Sequence, residues 1–146
     1  MKYKKLTIYT DGGARNNPGP AGIGCVLYDE SKKIIKEISE YIGETTNNQA
    51  EYKACLRAME EAKKLSSRGG QGCSEDMELE FFLDSELVVK QLNREYKVKN
   101  KELAPLFMKI YNLSQQFKKV TFFHVRREFN KEADALVNEA IDNYSS

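Results

Sequence analysis

The sequence predicts an α/β domain in which a few strands and helices are built around one mixed sheet. Three observations carry this. The first 41 residues hold three strand-like runs joined by brief links, the pattern of an antiparallel meander. A stretch of helical spacing over 48–66 then separates them from a fourth apolar run at 79–83. A connection of that length is what a parallel strand needs, and right-handed crossover lets the fourth strand lie beside the first.

The elements follow in order. Leu6, Ile8 and Thr10 alternate with Thr7 and Tyr9, which predicts a strand ending at Asp11. Residues 12–20, Gly12 to Pro20, read as a loop. Gly22 to Tyr28 and Ile34 to Tyr41 are the second and third strands, linked by the turn residues Asp29-Glu30-Ser31-Lys32. Ala54, Cys55, Ala58, Met59, Ala62 and Leu65 recur at three and four residues, with Lys53, Arg57, Glu60, Glu61 and Lys64 opposite, so 48–66 is an amphipathic helix. The Gly-rich loop 69–73 ends it. Leu79 to Leu83 is an apolar strand ending at Asp84, and Ser85 to Asn93 a short helix. Pro105 suits the first turn of the next helix, whose Leu103, Leu106, Ile110, Leu113 and Phe117 point inward. Val120 to Val125 is the last strand. Asn130 caps a final helix with Ala133, Leu136, Val137, Ala140 and Ile141 on one face.

The chain has 146 residues, room for one domain, so 1–146 is expected to form a single unit. Hydrophobic residues at 40% and charged residues at 31% exclude a disordered or fibrous chain. The formal net charge is +1, so an anionic partner must be held by a local patch and not by the field of the whole molecule. No apolar run approaches the roughly 18 residues of a membrane helix, and Met1 to Lys5 leads into a strand without a signal-peptide core. A cytoplasmic monomer is expected. Three cysteines in no paired spacing exclude a disulfide framework or zinc site. Cys25 and Cys55 read as core residues; Cys73 lies in the Gly-rich loop, where a reactive thiol is the minor alternative.

The topology places several acids at one sheet edge. Asp11 and Asp84 end neighbouring strands, and ligands of open α/β sheets bind beyond the carboxyl ends of strands. Glu51, in the first turn of the helix after the meander, and Asp134, in the first turn of the last helix, can face the same edge. Two carboxylates there repel unless a cation joins them, and hard oxygen ligands favour Mg²⁺ or Mn²⁺. Each acid also has an ordinary role: Asp11 starting a Gly-rich turn, Asp84 as an N-cap, Glu51 in a capping box with Asn48, Asp134 complementing a helix dipole. Four coinciding at one edge favours a common purpose. Other phosphate and hydrolase motifs are absent: Gly12-Gly13 lacks a following Gly-Lys, Gly22-Ile23-Gly24 lacks a third glycine, and no Gly-x-Ser-x-Gly occurs.

Tyr9-Thr10-Asp11-Gly12-Gly13-Ala14-Arg15-Asn16-Asn17-Pro18-Gly19-Pro20-Ala21-Gly22 closely resembles the opening motif of type 1 ribonuclease H. Thr45 to Glu51, Leu83-Asp84-Ser85 and Asn130 to Asp134 resemble its second, third and fourth motifs, so the likeness runs nearly end to end. It implies a ribonuclease H-like fold, a five-stranded mixed sheet with three antiparallel then two parallel strands, flanked by helices. It also implies one catalytic domain with no separate hybrid-binding domain. The activity implied is hydrolysis of the RNA strand of RNA–DNA hybrids to 5′-phosphate and 3′-hydroxyl ends. By the same likeness Asp11 bridges two Mg²⁺ ions, with Mn²⁺ as a substitute. Asp134 completes the water-activating site, and Glu51 and Asp84 hold the ion on the leaving-group side.

The resemblance assigns substrate contacts as well. Gly12 allows close backbone approach; Asn16, Asn47, Asn48 and Gln49 match minor-groove contacts; Thr46 matches a DNA-phosphate pocket. Lys90, Arg94, Lys97, Lys99 and Lys101 against Glu95, with Tyr96 among them, form a basic segment suited to a nucleic-acid backbone. That segment is shorter than the Trp-rich handle of well-known bacterial members, and the chain has no Trp. The histidine that many members carry before the last helix is also missing. His124 falls within the last strand, which leaves Arg127 or Glu128 as candidates for its place. The competing readings are a nucleic-acid-binding module with weak or no catalysis and a DNA nuclease on the same fold.

Overall fold

The computed structural model describes residues 3–67 and 74–145. Cys73 and the Gly-rich loop around it lie outside the described residues.

Three strands open the chain: β1 (Lys5–Ala14), β2 (Gly19–Tyr28) and β3 (Ile34–Thr45). Helix α1 (Asn47–Ser67) crosses to β4 (Glu78–Leu83). Helices α2 (Glu86–Leu92) and α3 (Ala104–Ser114) lead to β5 (Lys119–His124), and α4 (Lys131–Ser145) ends the fold. The sheet order is β3-β2-β1-β4-β5. β1 pairs antiparallel with β2 and β2 with β3, while β4 runs parallel to both β1 and β5. This is the mixed sheet expected, three antiparallel strands then two parallel.

The core lies between one sheet face and α1, with Leu6, Ile8, Leu79, Phe81 and Leu83 below Ala54, Cys55, Ala58 and Met59, all fully buried. Each large side chain of this kind contributes about 1.5–3 kcal/mol relative to exposure. On the other face α4 rests its Ala133, Val137, Ala140 and Ile141 on β2. The approach is close enough that a Cβ on Gly24 would lie 2.1 Å from the Ala133 carbonyl oxygen, so only glycine fits there. Leu103, Ile110 and Phe117 are buried as their spacing predicts, and Cys25 and Cys55 are core thiols. No helix among the described residues is long and apolar enough to cross a membrane.

Three local expectations are corrected. Strand β1 does not end at Asp11 but pairs with β2 through Ala14↔Ala21, so the antiparallel ladder absorbs the first half of the expected loop. Glu61, expected on the solvent face of α1, is 3% exposed and takes a 3.0 Å ion pair from Arg57 Nη1. The same Arg57 reaches Glu40 of β3 at 3.1 Å, so the guanidinium closes over Glu61 between α1 and the sheet. The residue capping α1 is Thr46, whose Oγ1 accepts from the Gln49 N–H at 3.2 Å; Asn48 lies inside the helix, and Glu51 in its second turn.

Candidate active site

The cleft forms where β1 and β4 part. Their parallel pairing stops at Tyr9↔Phe82, two residues short of Asp11 and Asp84. Asn130 fills the gap: its side-chain amide donates to the Thr10 carbonyl at 2.9 Å and to Asp84 Oδ2 at 3.2 Å. This residue stands before α4 as expected, yet its side chain ties the strands together and does not cap the helix. Asp84 is no cap either, since Ser85 Oγ accepts from the Val88 N–H at 3.3 Å.

Asp11, Glu51 and Asp84 bring carboxylate oxygens within 4.8 Å of one another. Glu51 reaches the group from α1 because that helix presses on β1 at Gly12. A Cβ there would lie 2.2 Å from the Ala50 carbonyl oxygen. The Gly12 N–H donates to Glu51 Oε1 at 2.6 Å and to Asp11 Oδ1 at 3.0 Å. Asp134 lines the same cleft of about 420 Å³ from the first turn of α4, outside the tightest group.

Burial dominates the electrostatics. It pushes Asp11 up to about 7, and the nearby Asp84 and Asp134 carboxyl groups raise it further, while the hydrogen bond with Glu51 works the other way. Burial, then the adjacent Asp11, holds Glu51 well above the usual carboxylate range against the pull of the Gly12 amide. Glu51 Oε2 is buried without a hydrogen-bond partner. A divalent cation fits this set: the donors are hard oxygens, one of them is orphaned, and positive charge would relieve the repulsion that protons otherwise relieve.

The remaining predicted residues divide. Asn47 Oδ1 accepts from the Ala14 N–H at 2.8 Å, and Asn47 and Asn48 line the cleft beside Gly12. Gln49 hydrogen-bonds Thr45 and Glu102, joining the start of α1 to the segment before α3. Asn16, exposed at φ 67, does not line the cleft; its neighbour Asn17 accepts the Asn47 N–H at 2.9 Å. Tyr96 and Lys97 line a separate groove with Val98, Phe107 and Met108, and Lys99 is exposed nearby. Lys90 and Arg94 sit over the Tyr96 and Tyr111 rings at 5.1 and 5.4 Å. His124 pairs with Leu83 as the last residue of β5. Arg127 lines the carboxylate cleft, whereas Glu128 is paired with Arg126 at 3.2 Å. The sequence reading missed the bridging role of Asn130, the tie made by Asn17, and Arg15 with Asn138 at the cleft rim. Ser85 was legible as a cap from its place before Glu86; the Arg15–Asn138 pair spans 123 residues and leaves no local signal.

Sheet order and carboxylate cleft together define the class: a model described as reverse transcriptase-like matches residues 9–140. The ribonuclease H of Chlorobium phaeobacteroides is 33% identical over 156 residues, covering 96% of this chain and 97% of that one. LC11-RNase H1, isolated from compost by a metagenomic approach, shares 49% identity at a TM-score of 0.89, covering 98% of this chain and 99% of that one. Its structure in complex with RNA/DNA hybrid matches at a TM-score of 0.88. The chain belongs to the ribonuclease H family, in its type 1 branch. The bifunctional protein Rv2228c of Mycobacterium tuberculosis is 36% identical over 139 residues, which are 94% of this chain and 36% of that protein. The chain therefore spans about a third of the length of the mycobacterial relatives it matches.

Proposed function

We propose that this chain is an endoribonuclease that hydrolyses the RNA strand of RNA–DNA hybrids to 5′-phosphate and 3′-hydroxyl ends. The observation that carries the reading is the buried, unpartnered Glu51 oxygen within a carboxylate trio that lines the cleft. The named ribonuclease H relatives, one of them solved with a hybrid, support the substrate class. In this reading Asp11, Glu51, Asp84 and Asp134 hold two Mg²⁺ ions, with Mn²⁺ as substitute. Such a pair of ions supplies a water-derived nucleophile and charge stabilisation at the leaving oxygen.

The chain's own groups do the positioning. The Gly12 amide orients Glu51 and Asp11 together, and Asn130 holds Asp84 against β1. Asn47, Asn48, Gln49 and Asn16 offer amides to base edges and 2′-hydroxyls, the group that separates RNA from DNA. Thr46, at the start of α1, takes a DNA phosphate. Tyr96, Lys97 and Lys99 track the hybrid backbone. Arg127, facing the cleft while Glu128 is paired elsewhere, stands where the family's histidine is missing. The reading takes the unit as one catalytic domain working as a cytoplasmic monomer.

The test is incubation with labelled hybrid, duplex DNA and duplex RNA, in Mg²⁺ or EDTA. Cleavage confined to the RNA strand of the hybrid, abolished by EDTA and by Asp11→Asn with hybrid binding retained, is expected. Preferred cleavage of DNA, or hybrid binding without cleavage, would favour the competing readings.

A further inference from the structure

The cleft that holds the four carboxylates is also lined by two cations, Arg127 and Arg15. Arg15 follows the last residue of β1, and its N–H donates to the Pro20 carbonyl at 2.8 Å, which closes the turn and holds its backbone. Its Nη1 lies 2.6 Å from Asp142 Oδ1, and its Nη2 donates to Asn138 Oδ1 at 3.4 Å. Asp134, Asn138 and Asp142 are spaced four apart and share one face of α4. Asn138 Nδ2 donates to the Asp134 carbonyl at 3.2 Å. Four residues are about 6 Å of helix rise. The Asn138 contact thus sits about 6 Å and the Asp142 contact about 12 Å along α4 from Asp134, which tethers the guanidinium one to two nucleotide steps away.

The Arg15–Asp142 pair is 45% and 64% exposed. An exposed pair of that kind contributes little to stability, and a backbone phosphodiester, with the same single negative charge as Asp142, offers two oxygens that can take both Nη groups at once, where Asp142 takes only one. A polyanion entering a cleft of four carboxylates also needs cationic contacts along its path.

We infer that Arg15 is a substrate-binding residue that takes an RNA-strand phosphate one or two steps from the scissile one, and that Asp142 is its resting partner and competes with that phosphate. This rests on the hybrid-cleavage reading above. The two residues of a purely structural pair would behave alike, since removing either loosens the same tie. A phosphate-binding arginine with an internal competitor makes the two removals act in opposite directions.

The experiment compares Arg15→Ala, Arg15→Lys and Asp142→Asn with the parent. Hybrid affinity is read by fluorescence anisotropy in EDTA, and KM and kcat are read in Mg²⁺. Arg15→Ala is expected to raise Kd and KM about tenfold, the scale of one charge-assisted hydrogen bond, with kcat changed far less than KM. It should also reduce the slope of log K against log salt by about 0.9. Arg15→Lys should restore the slope and only part of the affinity, because a point charge lacks the fork. Asp142→Asn should lower Kd by about two- to threefold, the scale of an exposed pair. A single neutral methylphosphonate walked along the RNA strand near the cleavage point should weaken the parent at one position and cause Arg15→Ala no further weakening there. Kd shifts of the same sign in Arg15→Ala and Asp142→Asn, or an unchanged Kd and slope in Arg15→Ala, would overturn the inference. Failure of the hydrolase reading shows separately, as a parent that binds hybrid and does not cleave it, since the affinity comparison is made without metal.

Discussion

Replacing Asp11 by Asn should reverse the usual expectation that a change in a buried cluster destabilises. Asp11 is 8% exposed, and its pKa is raised from 3.8 to about 7, mainly by burial. A carboxyl whose folded pKa lies above its unfolded value binds more protons when folded. Stability therefore falls as pH rises from about 4 to about 7 and stays lost above that. Three pH units at 1.36 kcal/mol each set a ceiling of about 4 kcal/mol. Local relaxation brings the expected effect nearer 2 kcal/mol, or roughly 4–8 °C in a chain of this size. An asparagine side chain has no such titration, and its Oδ1 can still accept the Gly12 N–H now donated at 3.0 Å to Asp11. It also removes a neighbouring charge that burdens Glu51. In EDTA the Asp11→Asn variant should melt above the parent at pH 8 and level with it at pH 4.5. Saturating Mg²⁺ should reverse the order at pH 8, since only the parent keeps the full carboxylate set. Calorimetry across that pH range decides it. Equal melting temperatures at both pH values in EDTA would refute the electrostatic reasoning.

Four further outcomes follow from the same geometry. Replacing Lys97, Lys99 and Lys101 by Ala should weaken hybrid binding and lower the salt slope by about 0.9 for each phosphate left without its lysine, measured by titration at several salt concentrations; an unchanged slope would make them solvated side chains. His124→Ala should leave single-turnover cleavage within about tenfold of the parent, equivalent to 1.36 kcal/mol of barrier, because the side chain is an exposed strand end. Arg127→Ala should slow cleavage more than either His124→Ala or Glu128→Ala, since only Arg127 of the three lines the cleft. Asn130→Ala should cost about 1–3 kcal/mol in denaturant melts by leaving the Thr10 carbonyl and Asp84 without their donor, and should weaken Mg²⁺-dependent stabilisation.

The backbone plan was legible because it follows short-range rules. Alternation at residues 6–10, the three–four spacing from Ala54 to Leu65 and the crossover length between third and fourth strands each act over a few residues or one connection. They led to the meander and to the fourth strand beside the first, as the structure shows, while the place of the fifth strand came from the family resemblance. The four ordered motifs made the family recognisable for the same reason, since each is a local string.

The details that failed depend on neighbours remote in sequence. Glu61 is buried beside an Arg57 that is drawn to Glu40 of β3, which no pattern within α1 records. The cap of α1 fell to Thr46 and not Asn48 because β3 runs on through Thr45, leaving Thr46 as the joint. Asp11 reads locally as the start of a Gly-rich turn, yet Gly12, Gly13 and Ala14 pair with β2. By itself, then, the sequence determined the elements, their order and which acids were available to meet. Only the tertiary structure decided that Asp11, Glu51 and Asp84 share a space of 4.8 Å, that Asn130 bridges the strands around them, and that Arg15 reaches Asp142 on α4. The physical reason is distance: helix and strand periodicity are set by neighbours in the chain, whereas a carboxylate's burial, partners and proton affinity are set by whatever the folded chain brings beside it.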